Sequence, residues 1–264
     1  MLPYITIFGR SIGANAIMVL CGIFASGTYA SFVARKRGYD YTEIIIFMLL
    51  VSIGVIVGGH LMYAIVTVAN NRNIMPSVIA NINADNFLSI IFSIFGGSVF
   101  YGGLIGGLIA GRICIMKHDT YSNYIDIVAV SVPLFHFFGR IGCFLGGCCF
   151  GIESSFGFPF HDSPVTEANG IARFPVQLLE AFFSLGLFFL LRHLMQNQKI
   201  KNKLIYAYLL SYSTGRFFIE FLRGDDHRGI WVFLSTSQII SIMIFLFALI
   251  KCLSLKSHSL CGKR

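Results

Sequence analysis

The chain has 264 residues, 56% of them hydrophobic and only 12% charged, with a mean hydropathy of +0.75. A soluble domain carries about 25% charged residues, so this composition excludes an ordinary soluble globular protein. It points to an all-α integral membrane protein built as one polytopic transmembrane domain over residues 1–264. The basic excess, 20 Lys+Arg against 12 Asp+Glu, reads as topological charge, and no nucleic acid is expected as a partner.

A helix needs about 20 apolar residues to cross a bilayer. Seven segments meet or approach that length, at roughly 12–34, 42–69, 87–116, 123–149, 174–194, 203–223 and 229–251. The first is too long for a cleaved signal peptide, and Leu20 before Cys21 is a poor lipoprotein cleavage site, so it is expected to remain as a span. The third is expected to break near Gly96-Gly97 or Gly102-Gly103, because non-helical backbone at that depth is tolerated where protein or a cavity surrounds it.

Basic residues set the orientation. Thirteen of them (Arg35, Lys36, Arg37, Arg112, Lys117, Arg192, Lys199, Lys201, Lys203, Lys251, Lys256, Lys263, Arg264) fall on one side if seven helices alternate. The other seven (Arg10, Arg72, Arg140, Arg173, Arg216, Arg223, Arg228) fall at or near the opposite side. The count predicts seven transmembrane helices with the N-terminus out and the C-terminus in. The outer connection at about 152–173, with Glu153, His161, Asp162, Glu167 and Arg173, reads as a lid or as a plain surface loop.

The run Gly139-Arg140-Ile141-Gly142-Cys143-Phe144-Leu145-Gly146-Gly147-Cys148-Cys149-Phe150-Gly151 ends the fourth segment. An arginine at that depth is expensive in lipid and is expected to face a polar cavity or a partner. The sixth segment carries Tyr212, Arg216, Glu220 and Arg223 at spacings of four, four and three, an ionisable stripe on one helix face. Arginine holds phosphate bidentately and stays charged when desolvated, so Arg140 and Arg216 on different helices suit a phospholipid phosphodiester. The alternative is a structural Arg216–Glu220 pair. In the third segment Tyr101 stands among glycines, within Gly96 to Gly107.

His136 and His60 read as packed or hydrogen-bonded histidines. The seven cysteines, at 21, 114, 143, 148, 149, 252 and 261, show no disulfide framework. Cys143, Cys148 and Cys149 lack the paired Cys-x2-Cys spacing of common zinc sites. They read as small apolar packing in a glycine-lined turn, or as a thiolate activated by Arg140. Neither a metal nor a cofactor is expected.

On these motifs the chain resembles the bacterial prolipoprotein diacylglyceryl transferases. Gly139-Arg140-Ile141-Gly142 with Gly151 is similar to the family's Gly-Arg-x-Gly-Asn region, and Tyr212 to Arg223 to its Tyr-Gly-x-x-Arg-x-x-x-Glu-Phe-x-Arg block. Pro175-Val-Gln177-Leu-Leu-Glu180 and Ser235-Thr-Ser-Gln238 resemble two further blocks, and Asp126 and Pro133 also match. The resemblance implies a multi-pass enzyme of the bacterial plasma membrane. It would move diacylglyceryl from phosphatidylglycerol to the lipobox cysteine at a prolipoprotein signal peptide, releasing glycerol phosphate. Arg140, Arg216, Tyr101 and Glu220 are then the candidate catalytic residues. Gly102, Gly103, Gly139, Gly142, Gly151, Tyr212 and Arg223 are the candidates for binding substrate.

The chain also departs from the family pattern. Tyr101 stands where the family has histidine, Cys143 where it has asparagine and Cys148 where it has glutamate. Cys21 replaces a tyrosine and His60 an arginine. A tyrosine, with a reference pKa near 10, is a poor general base, so phosphate binding is expected to be kept and thiol activation is the open step. The competing readings are a paralogue that binds phospholipid but serves another acceptor or none, and a transporter. No internal repeat supports a transporter.

Overall fold

The architecture was obtained as a computed structural model that describes residues 1–7, 9–73, 75–81, 83, 86–97, 99–161, 163, 165–196, 203–224, 230, 231 and 233–261. Of the residues named above, Asp162, Lys199, Lys201, Arg228, Lys263 and Arg264 lie outside the described residues, as do the side chains of Tyr101, Glu167, Lys256 and Cys261.

Helices dominate, running α1 (Ala14–Lys36), α2 (Tyr41–Asn70), α3 (Met75–Ala80), α4 (Phe87–Phe95), α5 (Phe100–Lys117), α6 (Ile125–Gly146), α7 (Val176–Leu194), α8 (Leu204–Ile219) and α9 (Thr236–Cys261). Five described helical segments are long and apolar enough to cross a membrane: Ala14–Lys36, Tyr41–Ala69, Asp119–Gly146, Val176–Leu194 and Thr236–Ser254. Their outward faces carry large exposed apolar side chains such as Phe24, Phe182 and Leu246, the surface that lipid covers. The chain is therefore a helical membrane protein. The two other expected spans are shorter or interrupted. The third is broken into α4 and α5, and α8 has 16 residues before a 3-10 turn at Glu220–Leu222.

The chain divides into two compact units, Ala34–Tyr124 and the combination of Met1–Val33 with Ile125–Arg264. In the first of these, α2 packs along α5 through glycines at four-residue spacing on both helices. A β-carbon on Gly54 would fall 2.6 Å from the Gly106 carbonyl oxygen, and one on Gly58 would meet the Gly102 carbonyl and lie 2.9 Å from the Gly106 Cα. Apolar driving force between helices vanishes in lipid, so close backbone approach supplies the packing. The expected break falls at Gly96-Gly97. The chain ends it leaves are satisfied by α2: the Phe95 carbonyl accepts from His60 Nδ1 at 2.7 Å, and the Val99 N–H donates to Gly59 O at 3.1 Å. His60 is thus hydrogen-bonded, as read from the sequence. Asp40 caps α2 by accepting from the Thr42 N–H at 2.8 Å.

The other unit is a bundle of α6, α7, α8 and α9 around Val130, Leu187, Phe188, Leu191, Leu204, Tyr208, Leu209 and Ala248. Gly22 of α1 packs against Phe135 and Phe138 of α6. Buried Asp126 at the start of α6 accepts from the Leu204 N–H at 3.2 Å, capping the first turn of α8. Among the described residues three two-stranded antiparallel ribbons join the helices, pairing β1 (Tyr4–Ile7) with β2 (Arg10–Gly13), β3 (Glu153–Pro159) with β4 (Ala172–Arg173) and β5 (Ile230–Trp231) with β6 (Leu234–Ser235). They are too short to leave a period-two signal in the sequence. The β3–β4 segment was expected as a lid or plain loop, and it folds over its own apolar cluster of Phe150, Phe160 and Ala168.

Candidate active site

Four helix ends of this second unit converge on an arginine–carboxylate network. Arg140 near the end of α6 and Arg216 near the end of α8 share the carboxylate of Glu180 in the first turns of α7, with Arg140 Nε 2.6 Å from Oε2 and Arg216 Nη1 2.5 Å from Oε1. Arg216 Nη2 also lies 2.7 Å from Glu220 Oε2, and Arg223 Nε is 3.9 Å from the same oxygen. The i,i+4 and i,i+3 spacing read from the sequence thus produces real contacts. The Glu180 and Glu220 side chains are 7% and 0% exposed, while Arg140 retains 20%. The carboxylates therefore sit behind the guanidiniums, which keep the accessible side.

The network is tied to the bundle from α9. The Ser235 hydroxyl donates to Glu220 Oε1 at 2.9 Å while accepting from the Gln238 N–H at 3.2 Å. Gln238 Oε1 in turn accepts from the Ser235 N–H at 2.9 Å, which completes a reciprocal N-terminal capping box. Ser237 accepts from Arg216 at 3.4 Å. The Ser235-Thr-Ser-Gln238 block therefore both starts α9 and holds Glu220 in place. Neither Ser235 nor Glu180 was among the expected site residues. Their signals were the block motifs and, for Glu180, a lone acid in an apolar helix.

Tyr212 stacks on Tyr208 with ring centroids 5.6 Å apart and lies 5.2 Å from the His136 ring. His136 shares a hydrogen bond of 3.4 Å with the Tyr208 hydroxyl, which agrees with the packed-histidine reading. Gly151 has no room for a side chain. A β-carbon there would meet the Phe174 carbonyl and lie 2.9 Å from Leu222 O, because this segment pairs with Arg223. Gly142 faces Asn15, with its β-carbon position 3.0 Å from Asn15 Oδ1, whereas Gly139 has open space around it.

The structure thus brings together Arg140, Arg216, Glu220, Arg223, Tyr212, Gly142 and Gly151. Tyr101, Gly102 and Gly103 belong to α5 in the other unit, where Gly102 packs on Gly58 and Gly103 on Val55.

Beside the network, Cys143, Cys148 and Cys149 gather with all three sulfurs within 4.8 Å of one another. None of them is bridged. A spacing unlike common zinc motifs nevertheless assembles a three-thiol cluster.

Counted over the described residues, three arginines against two glutamates give the network one net positive charge. Such a site can hold a singly charged phosphodiester and stabilise a second negative charge as it forms.

A sequence model of prolipoprotein diacylglyceryl transferase matches residues 3–253. Phosphatidylglycerol–prolipoprotein diacylglyceryl transferase 2 of Clostridium perfringens is 34% identical over 244 residues, covering 91% of this chain and 90% of its own length. The Clostridium tetani transferase is 34% identical over 246 residues, covering 92% and 93%. That of Campylobacter jejuni is 32% identical over 261 residues, covering 95% and 92%. With a match that spans nearly the whole chain and carries the helices that build the arginine–carboxylate network, this protein belongs to the prolipoprotein diacylglyceryl transferase family.

Proposed function

We propose that this chain transfers the diacylglyceryl group of phosphatidylglycerol to the lipobox cysteine thiol of prolipoproteins, releasing glycerol phosphate. The observation that carries this reading is the positive network of Arg140, Arg216 and Arg223 on Glu180 and Glu220. A phosphodiester carries one negative charge. When the thiol sulfur forms its bond to the terminal glyceryl carbon, the carbon–oxygen bond breaks and its electron pair leaves on phosphate. Fixed guanidinium donors oppose the charge gained there and need no reorganisation at that moment.

Arg140 and Arg216 are assigned to that phosphate, with Glu180 and Glu220 orienting them and Arg223 at the rim. Gly139 is assigned to close approach of the lipid, since its surroundings are open. Gly142, Gly151 and Tyr212 shape the wall. Tyr101, with Gly102 and Gly103, is assigned to the reaction on the family motif, as a hydroxyl donor and not as the base.

The chain is assigned a single seven-span domain in the bacterial plasma membrane, N-terminus out and C-terminus in, which engages signal peptides and no nucleic acid. The basic-residue asymmetry supports the orientation. α8, at 16 residues and about 24 Å of rise, spans the core with help from the 3-10 turn that follows it. Membranes of a transferase-depleted bacterium expressing this chain, given a lipobox peptide and labelled phosphatidylglycerol, are expected to yield labelled peptide. Transfer no higher than in empty-vector membranes overturns the reading.

A further inference from the structure

We propose that Cys143, Cys148 and Cys149 hold one zinc-class cation whose open fourth position takes the acceptor thiol. The inference rests on the transfer reaction proposed above, but its metal-binding half is readable without that reaction.

The geometry is close to what such an ion needs. Zinc–sulfur bonds of about 2.3 Å in a tetrahedron place ligand sulfurs about 3.8 Å apart. The three sulfurs already lie within 4.8 Å of one another, so side-chain adjustments of under about 1 Å close the site. Consecutive side chains on an extended strand point to opposite faces, which would keep Cys148 and Cys149 apart. Here Gly147 has φ of 71° and Cys149 has φ of 55°, the one positive φ outside glycine among the described residues. That reversal lets two neighbouring thiols meet Cys143, and a β-carbon in this backbone region is disfavoured.

The turn is also fixed by outer contacts of the kind that orient metal ligands. Asn15 Nδ2 donates to Cys148 Sγ at 3.9 Å, and Gln177 Nε2 donates to Cys148 O at 2.8 Å. The Ser163 hydroxyl donates to Gly147 O at 2.8 Å, and the Cys148 N–H donates to Cys143 O at 3.1 Å. Gln177 is fully buried, and its Oε1 has no hydrogen-bond partner among the described residues. Three thiolates and one divalent cation carry one net negative charge, and Arg140, three residues before Cys143 on α6, places a guanidinium on the same helix face.

The chemistry answers the step that Tyr101 leaves open. A thiol must become a thiolate to attack, and coordination to a divalent cation removes its proton outright. The acceptor thiol binds at the fourth position and releases its proton to water. Its sulfur lone pair then forms the bond to the glyceryl carbon while the carbon–oxygen bond breaks toward phosphate. The product thioether is neutral and a weak ligand, so it leaves the ion. Three protein ligands with one open position is the arrangement of catalytic zinc sites, not of closed structural ones.

The test uses the full chain, purified in detergent without a histidine tag, and first measures metal alone. One equivalent of zinc per chain is expected, and cobalt added to the stripped protein should give a thiolate-to-cobalt charge-transfer band. Cys143→Ser, Cys148→Ser and Cys149→Ser should each lose that band while still binding labelled phosphatidylglycerol, which reports an intact fold. No stoichiometric metal overturns the proposal, and so does equal metal in a triple serine variant. A disulfide among the three that takes up no metal after reduction does the same. Transfer is then measured. Stripped protein should lose at least about 100-fold, within the range of a missing base, and regain it with one equivalent of zinc. Full transfer without metal overturns the fourth-position role. Bound metal with no transfer even in the replete protein overturns the transferase reading and leaves the metal site standing.

Discussion

Glu180 accepts from two guanidiniums on different helices, Arg140 at 2.6 Å and Arg216 at 2.5 Å. Without that shared carboxylate two half-buried cations face each other with one fewer counter-charge. Breaking a buried pair by removing one partner costs about 3–5 kcal/mol, so Glu180→Gln is expected to lower the unfolding midpoint and to cut transfer at least about 100-fold. A thermal melt and the lipobox assay on the same preparation check both, and normal transfer in this variant would show that Glu180 does not position the arginines. Arg140 was legible because intramembrane charge is rare, and Arg216, Glu220 and Arg223 because their spacing also falls on one helix face. The bridge was not legible, since Glu180 lies 36 residues from Arg216 and only the fold brings them together. The same holds for the thiol cluster, whose left-handed Cys149 leaves no mark in a residue pattern.

Glycine has two different uses in the helices. At Gly102 a β-carbon would meet the Gly58 carbonyl and the Met62 side chain, whereas at Gly139 it meets nothing within 4 Å among the described residues. Gly102→Ala is therefore expected to destabilise by about 1–3 kcal/mol through overpacking of α2 on α5, read as a lower melting temperature. Gly139→Ala should melt normally but transfer poorly, because only an approaching lipid would meet its methyl group. An unchanged transfer rate in Gly139→Ala would remove that glycine from the binding surface. The break in the third span was readable from Gly96-Gly97. Its repair by His60 and Gly59 was not, because hydrogen bonds between distant elements leave no local pattern. The ribbons escaped for the opposite reason, being two to seven residues long.

At the scale of the molecule, hydropathy and length made the membrane class plain, and five spans in the structure agree with it. The remaining expected spans are a broken pair and a short helix, whose crossing no single-helix criterion decides. Phosphatase fusions after Asn71 and Gly151 are expected to be active, and fusions after Arg37 and Lys251 inactive. The reverse pattern would place the arginine network on the cytoplasmic side. Arg140 and Arg216 are the groups proposed to hold the phosphate whose departure releases the diacylglyceryl group. The most direct measurement of that role is the rate of labelled diacylglyceryl transfer to a lipobox peptide by Arg140→Ala and Arg216→Ala membranes at matched expression. Both are expected to fall to the empty-vector background. A normal rate in either would contradict the assignment.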